Sequence, residues 1–265
     1  MYTHQNMNSY HVCRIAVAPL RKEPSDRSEI VSQLLFGDRV EVLEKTEKWC
    51  LIKTQHDNYE GWMDYKQLQK ISDLQFHDEK AYTFLTPLQL DNTLIANNGT
   101  KYYLSPGSTL PYFNNNFCYL GTEKFQVKSN PIIPDRANFK KEVQANAQFF
   151  ENTPYLWGGR TLFGIDCSGF VQIVLKLSGI QIKRDAAQQA EQGIIVSFLA
   201  LAQLGDLAFF DNEDGKITHV GLMLGNDKII HSAGKVRVDP IDDQGIYNAE
   251  LGRYTHKLRI IKRFV

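Results

Sequence analysis

The hydrophobic pattern of this 265-residue chain first changes from strand period to helical period near residue 136, and this change divides the chain into two parts. Between about residues 10 and 71, short runs of alternating apolar and polar residues are separated by turn residues, as in a small β-barrel. After residues 129–136, SNPIIPDR, apolar residues recur at helical spacing at Phe139, Val143, Ala147 and Phe150. The sequence therefore predicts a β-rich first part, a linker with two prolines, and a last domain that opens with a helix.

The first β-rich part has a recurring set of turn and aromatic residues. A Gly-Asp turn, a tryptophan and a Gly-Trp pair occur at Gly37, Asp38, Trp49, Gly61 and Trp62, and this pattern resembles a bacterial SH3 domain. We interpret residues 10–72 as one SH3-like domain and residues 73–130, with turn chemistry at 97–99 and 105–107, as a second, diverged one. The predicted strands of the first domain are Cys13–Val17, Ile30–Leu35, Arg39–Lys45, Trp49–Thr54 and Gly61–Met63.

The last domain, residues 136–265, combines helices at its start with strands afterwards. A second helical pattern begins at Cys167 and ends near Gly179. Helices followed by antiparallel strands indicate an α+β domain. The predicted strands are Leu207–Phe210, His219–Leu224, Lys228–His231, Lys235–Val238 and Lys257–Phe264.

Cys167 is the candidate nucleophile. A thiol needs a base, a cation or the positive end of a helix to form thiolate, and Cys167 lies at a predicted helix start. The other cysteines, Cys13, Cys50 and Cys118, have no metal-like spacing and are interpreted as small buried hydrophobic residues.

Two histidines can serve this cysteine. His219 opens the strand HVGLMLG, and His231 ends the next strand, KIIH, after the turn at 225–227. A hairpin would place both at one edge of the sheet, with His219 as general base and His231 fixing its tautomer. The remaining histidines are interpreted as structural or solvated: His4, His11, His56, His77 and His256.

Five motifs of the last domain, in order, resemble the NlpC/P60 family of cysteine peptidases. The resemblance implies a papain-like catalytic domain in which Cys167 is the nucleophile, His219 the base and His231 the third polar group. It also implies that Tyr155 lies beside the nucleophile and helps to stabilise the oxyanion, whereas Trp157 is expected in the core. The motifs are Pro154-Tyr155-Leu156-Trp157-Gly158-Gly159, Asp166-Cys167-Ser168-Gly169-Phe170, Gly205-Asp206-Leu207 with Phe209-Phe210, His219-Val220-Gly221, and Ile230-His231.

The combination of SH3-like and NlpC/P60-like domains is similar to endopeptidases that cut the γ-D-glutamyl-L-diamino acid bond of murein peptides with a free amino-terminal L-Ala. That likeness implies substrate contacts from Asp166 and Ser168, and from Glu60 and Tyr65 of the first SH3-like domain. In one departure, Ala186 stands after Arg184-Asp185 where relatives often have a substrate-holding serine.

Charge and hydropathy narrow the expected partners and location. Thirty basic and 30 acidic side chains balance without a block of one sign, so neither nucleic acid nor a membrane is an expected partner. The polar start of the chain, residues 1–10, lacks the apolar run of a signal peptide, which leads us to expect a cytoplasmic enzyme of murein recycling with no cofactor.

Three alternatives remain open on the sequence alone. The chain could be a wall-lytic endopeptidase that acts on polymeric peptidoglycan, with SH3-like domains as anchors. It could be a catalytically silent protein that binds peptides. Cys167, His219 and His231 are also ligand types that suit zinc.

Overall fold

A computed structural model describes residues 9–265 and divides the chain at its proline-containing linker. One unit ends at Ile133 and the other begins at Pro134. His4 and the polar start of the chain before Ser9 lie outside the described residues. Within residues 9–265, no helix has both the length and the hydropathy that a membrane crossing requires.

Seven short antiparallel strands form the first sheet of the first unit, in the order β3-β2-β6-β5-β4-β1-β7. Alternation explains these strands: in Trp49–Thr54 every second side chain is buried. The strands are β1 Ser9–Cys13, β2 Val17–Arg21, β3 Ile30–Leu35, β4 Arg39–Lys45, β5 Trp49–Thr54, β6 Glu60–Asp64 and β7 Leu68–Lys70.

The predicted Gly-Asp turn joins β3 to β4. Gly37 has a φ of +82°, and a Cβ there would lie 2.3 Å from the carbonyl oxygen of Thr109. The carboxylate of Asp38 accepts a hydrogen bond from the backbone N–H of Leu35 at 2.9 Å. Glycine is therefore required by both the backbone conformation and the close approach of another segment.

A second sheet follows a short helix, α1 Asp73–His77, which begins with a capping box at Ser72. Its strands are antiparallel, in the order β10-β11-β8-β9. Val12 and Phe36, from the first sheet region, share one hydrophobic cluster with Phe125 of the second sheet, so the boundary at 72/73 stays a prediction. The strands are β8 Asn92–Ala96, β9 Lys101–Leu104, β10 Phe117–Leu120 and β11 Glu123–Val127.

The second unit opens with the predicted helix. Asp135 caps a 3-10 turn, Arg136–Asn138, by accepting from the N–H of Ala137, and α2 Phe139–Gln148 follows directly. The predicted apolar stripe of α2 and the following turn is buried throughout. The other helices are α3 Cys167–Leu177, which ends before Gly179 at φ +76°, and α4 Ala186–Ala190.

The helix α3 packs against the sheet strands β16 and β17. The sheet has the order β14-β20-β15-β16-β17-β18-β19, and β12 and β13 form a separate two-stranded ribbon. The predicted α+β class is confirmed. The strands are β12 Arg160–Thr161, β13 Gly164–Ile165, β14 Ile194–Val196, β15 Leu207–Asp211, β16 Ile217–Met223, β17 Lys228–Ala233, β18 Lys235–Asp242, β19 Gly245–Asn248 and β20 Arg253–Arg263.

One strand prediction is wrong. The predicted strand Cys13–Val17 spans the end of β1, a loop and the start of β2. Pro19 lowers the strand tendency of the next residues, yet β2 tolerates it, since β2 pairs with β3 throughout but with β6 only at Arg21. The missing N–H of Pro19 therefore costs no hydrogen bond to β6.

Candidate active site

Cys167 is the first residue of α3, and Asp166 caps that helix. One carboxylate oxygen of Asp166 accepts from the N–H of Gly169 at 2.6 Å, and the other accepts from the N–H of Gly158 at 2.8 Å. The cap joins the loop before the cysteine to the first turn of the helix. The sulfur of Cys167 therefore lies at a fixed point beside backbone N–H groups that no helical carbonyl can satisfy.

A buried arginine stabilises the cap. Arg184, 1% exposed, donates to Asp166 through both terminal nitrogens, at 2.7 and 3.0 Å, and to the hydroxyl of Ser168 at 2.8 Å. A buried guanidinium needs such partners because an unpaired charge is costly away from water. Asp166 and Ser168 thus hold the nucleophile's helix in place, and their predicted contact with substrate stays a prediction.

Glycines let the loop and helix approach closely. A Cβ on Gly169 would lie 2.3 Å from the carbonyl oxygen of Gly159, and one on Gly159 would lie 2.4 Å from that of Gly164. These backbone contacts leave no room for a side chain. The glycines of the motif are therefore explained by packing around the helix start.

The two predicted histidines lie together. His219 is on β16 and His231 on β17, and Nε2 of His219 lies 2.8 Å from Nδ1 of His231. Because Nε2 faces His231, Nδ1 is the nitrogen of His219 that remains for the role of base. The sulfur of Cys167 has hydrogen-bond interactions with the backbone of Val220, the residue after His219, and of Ser168.

An aspartate completes the chain of polar groups. Nε2 of His231 lies 3.0 Å from a carboxylate oxygen of Asp239, which Arg237 also contacts at 2.7 Å. Burial acts to raise the pKa of Asp239, but hydrogen bonds from His231 and Arg237 outweigh it and hold this pKa below its ordinary value. An ionised carboxylate therefore faces His231 and fixes its orientation.

Sequence reasoning missed Asp239. It lies on β18 opposite Ile229 of β17, diagonally across from His231. The available signal was an acidic residue in the strand that follows the histidine hairpin. Recognising it as a partner of His231 requires the register between β17 and β18.

Burial dominates the titration of the catalytic pair. It raises the pKa of the Cys167 thiol to about 12, and the charge of Asp166 adds to the rise against smaller opposing effects of Val220, Arg184 and Ser168. Burial, then the charges of His231 and His256, lowers the pKa of His219 well below its usual value. Both shifts favour the uncharged forms of the pair, a thiol and an imidazole, over a thiolate and an imidazolium.

Tyr155 and Trp157 lie on the loop before the helix. The N–H of Tyr155 donates to the carbonyl of Gly234 at 2.9 Å, and its ring is part-exposed. Burial, followed by the charges of Cys167 and Asp166, raises the pKa of Tyr155 to about 12, so its phenol remains protonated and able to donate. Trp157 is 59% exposed, which contradicts its expected place in the core.

The two predicted substrate contacts outside the catalytic domain lie in the first unit. Glu60 begins β6 and is exposed. The hydroxyl of Tyr65 lies 3.1 Å from Nε2 of His11, and the ammonium of Lys45 lies 3.3 Å from its ring centroid. Their contact with substrate stays a prediction.

His256 has an unexpected position beside the pair. Its ring stacks on that of His219, with centroids 4.1 Å apart and an interplanar angle of 26°, a contact that the sequence did not indicate. Nitrogen atoms of His219, His231 and His256 lie within 4.8 Å of one another. A metal ion binds in the plane of each imidazole, so two stacked rings cannot direct their lone pairs at one ion without turning. The geometry fits a stack better than a zinc site.

Two family profiles match separate parts of the chain. The NlpC/P60 family matches residues 152–254, and the bacterial dipeptidyl-peptidase SH3 domain matches residues 20–68. These matches confirm the SH3-like first domain and the catalytic domain predicted after it.

Relatives match over most of the chain. A γ-D-glutamyl-L-lysine dipeptidyl-peptidase of Bacillus subtilis is 34% identical over 77% of this chain and 72% of its own length. Another of the same name, from Bacillus cereus, is 28% identical over 83% of this chain and 73% of its own length. A crystal structure of an NlpC/P60 family protein from Bacillus cereus covers 96% of this chain and 99% of its own, with a TM-score of 0.78 at 21% identity, and so shares the fold.

Proposed function

The chain belongs to the NlpC/P60 family of cysteine peptidases, and on that premise we propose that it hydrolyses the γ-D-glutamyl-L-diamino acid bond of murein peptides with a free amino-terminal L-Ala. The observation that carries this proposal is the nucleophile at a capped helix start beside a His–His–Asp chain. The name of the 34% identical relative, a γ-D-glutamyl-L-lysine dipeptidyl-peptidase, supports the bond and the diamino acid.

The proposed reaction is acyl transfer through Cys167, and the protonation states of Cys167 and His219 determine where its proton goes. As the sulfur of Cys167 attacks the γ-carbonyl carbon, its proton passes to Nδ1 of His219, because burial favours the neutral form of both groups before substrate binds. The charge that develops on the carbonyl oxygen is stabilised by the N–H of Cys167 and the phenol of Tyr155. His219 then gives its proton to the leaving amine, and water hydrolyses the thioester with His219 as base again.

The ionised Asp239 supports the protonated state of the base. When His219 takes the thiol proton, positive charge spreads along the hydrogen bond to His231, whose far nitrogen faces the carboxylate. Such a partner holds the tautomer and stabilises the imidazolium without taking its proton. The contact between His231 and Asp239 therefore supports the proposed role of His231, which is to fix the tautomer of His219.

We also propose where the reaction serves the cell. A peptide with a free amino-terminal L-Ala is a released fragment of murein, so the enzyme belongs to recycling rather than to cleavage of the intact wall. A cytoplasmic location fits such a substrate. Asp166, Ser168, Glu60 and Tyr65 are the proposed contacts with the dipeptide, because a buried ammonium needs acidic and polar partners.

Paired substrates test this function. We expect L-Ala-γ-D-Glu-L-Lys to be cut to L-Ala-D-Glu and lysine, and its N-acetylated form to be cut at least about 100-fold more slowly, since an amine site that loses its charge leaves its partners unpaired. Mass spectrometry of the products measures both rates, with the diaminopimelate peptides assayed in parallel.

The control for this assay is intact peptidoglycan. Equal cleavage of free and acetylated peptides, together with release of fragments from peptidoglycan, would favour the wall-lytic endopeptidase. Binding without cleavage of any of them would favour the silent peptide-binding protein.

The fall of kcat/KM on the acid side of the pH profile should begin below pH 6. Because the pKa of His219 is lowered well below 6.5, this base stays neutral as the pH falls through 6.5, and kcat/KM should remain flat from about pH 7, where the substrate ammonium is charged, to about pH 6. The loss should follow only when His219 becomes protonated. Initial rates across this range, with circular dichroism at each pH to verify folding, measure this fall; a midpoint at 6.5 or above would contradict the lowered pKa.

A further inference from the structure

His256 lies outside the Cys–His–His–Asp chain but against its base. It is on β20, and its ring faces that of His219 at 4.1 Å. The ring of His231 meets both at nearly right angles, 5.0 Å from His219 and 5.6 Å from His256. The base is thus covered on one face by an imidazole and bounded on one edge by another.

Two contacts hold His256 in this place. Its Nδ1 lies 2.9 Å from the hydroxyl of Thr255, and its ring centroid lies 5.9 Å from that of the buried Phe210, which is also 5.7 Å from His219. The stack therefore rests on the core of the sheet. A ring fixed in this way restricts rotation of His219 about its side-chain bonds.

The stack also bears on charge. Burial, then the charge of His231, lowers the pKa of His256 to about 4, so this ring is neutral at neutral pH. The ring therefore covers one face of His219 without placing a charge beside it at rest.

We propose that His256 is a positioning residue for the base, which holds the ring of His219 by face-to-face stacking during acyl transfer. This inference rests on the proposed function only in assuming acyl transfer through Cys167 and His219. It does not depend on which peptide is cut, because the stack acts on the base. The proposal gives a residue of the last strand, β20, the role of holding the ring of the base in place.

Matched replacements of His256 test the stack. His256→Phe keeps an aromatic face of similar size, whereas His256→Leu keeps apolar volume without that face. We expect His256→Leu to lower kcat about 3- to 30-fold with KM within about twofold, and His256→Phe to retain kcat within about twofold. Thermal unfolding of each full-length variant verifies that the fold is intact.

A second readout does not depend on the peptide. The rate at which iodoacetamide alkylates Cys167, followed by peptide mass analysis, reports transfer of its proton to His219. We expect this rate to fall in His256→Leu and to be retained in His256→Phe. Variants that alkylate in this order while the wild-type protein leaves every murein peptide uncut would overturn the proposed function and support the stack.

Two outcomes overturn the inference itself. If a folded His256→Leu variant matches the wild-type protein in kcat and in alkylation rate, the stack has no part in the reaction. If His256→Phe is as slow as His256→Leu, an aromatic face is not what His256 supplies.

Discussion

Cys167→Ala is expected to lower kcat by on the order of 10⁴- to 10⁶-fold while the protein stays folded, the size of loss seen when a covalent nucleophile is removed. The expectation follows from the geometry: the sulfur lies at the helix start beside the backbone of Val220, and no other described cysteine shares that place. Turnover of L-Ala-γ-D-Glu-L-Lys by mass spectrometry measures the loss. Retention of wild-type turnover would refute acyl transfer through this thiol.

Cys118→Ala is the matched control. Cys118 is also a buried free thiol whose pKa burial raises to about 12, but it lies in the second sheet of the first unit. Its replacement should leave kcat within about twofold, because it acts only as a small buried hydrophobic group. EDTA should leave turnover of the wild-type enzyme unchanged; loss of activity with EDTA would instead favour the zinc alternative.

Arg184→Met is expected to destabilise the protein by about 3–5 kcal/mol, the usual cost of removing one member of a buried ion pair. Arg184 is buried and donates to both oxygens of Asp166 and to the hydroxyl of Ser168, and methionine can donate a hydrogen bond to none of these atoms. A carboxylate would be left buried with fewer donors at the start of the nucleophile's helix. The midpoint of thermal unfolding, followed by circular dichroism, should fall by about 10 °C or more.

An exposed ion pair of the same unit provides the comparison. Glu250 pairs with Arg237 at 3.1 Å, but its side chain is 74% exposed. Glu250→Ala should change the unfolding free energy by no more than about 0.5 kcal/mol, because water screens such pairs. Equal effects of the two replacements would mean that the Arg184 pair does not stabilise the helix start.

The strands of the first sheet show which parts of this fold are local in origin. The bounds of β3, β4 and β5 agree with the predicted strands, because alternation and turn residues determine them within a few positions of the chain. The strand predicted at Cys13–Val17 failed because residues 14–16 form a loop: β1 pairs with β4 and β7, whereas β2 pairs with β3 and β6. Local pattern cannot report that pairing.

The residues of the catalytic site also separate into those that local sequence motifs indicate and those that only the tertiary structure brings together. Cys167, His219 and His231 stand in motifs that are continuous in sequence, and the structure brings the two histidines within hydrogen-bond distance. Asp239 and Arg184 were missed because their partners are set by strand register and helix packing. His256 was missed for the same reason: nothing around it in sequence indicates the ring that it covers.

The burial of Cys167 affects how readily small oxidants reach its sulfur. Hydrogen peroxide attacks exposed thiolates, and its products climb from sulfenic to irreversible sulfonic acid. Cys167 is 7% exposed, and burial keeps its proton on sulfur at rest. The resting sulfur, buried and protonated, is therefore a poor target for small oxidants.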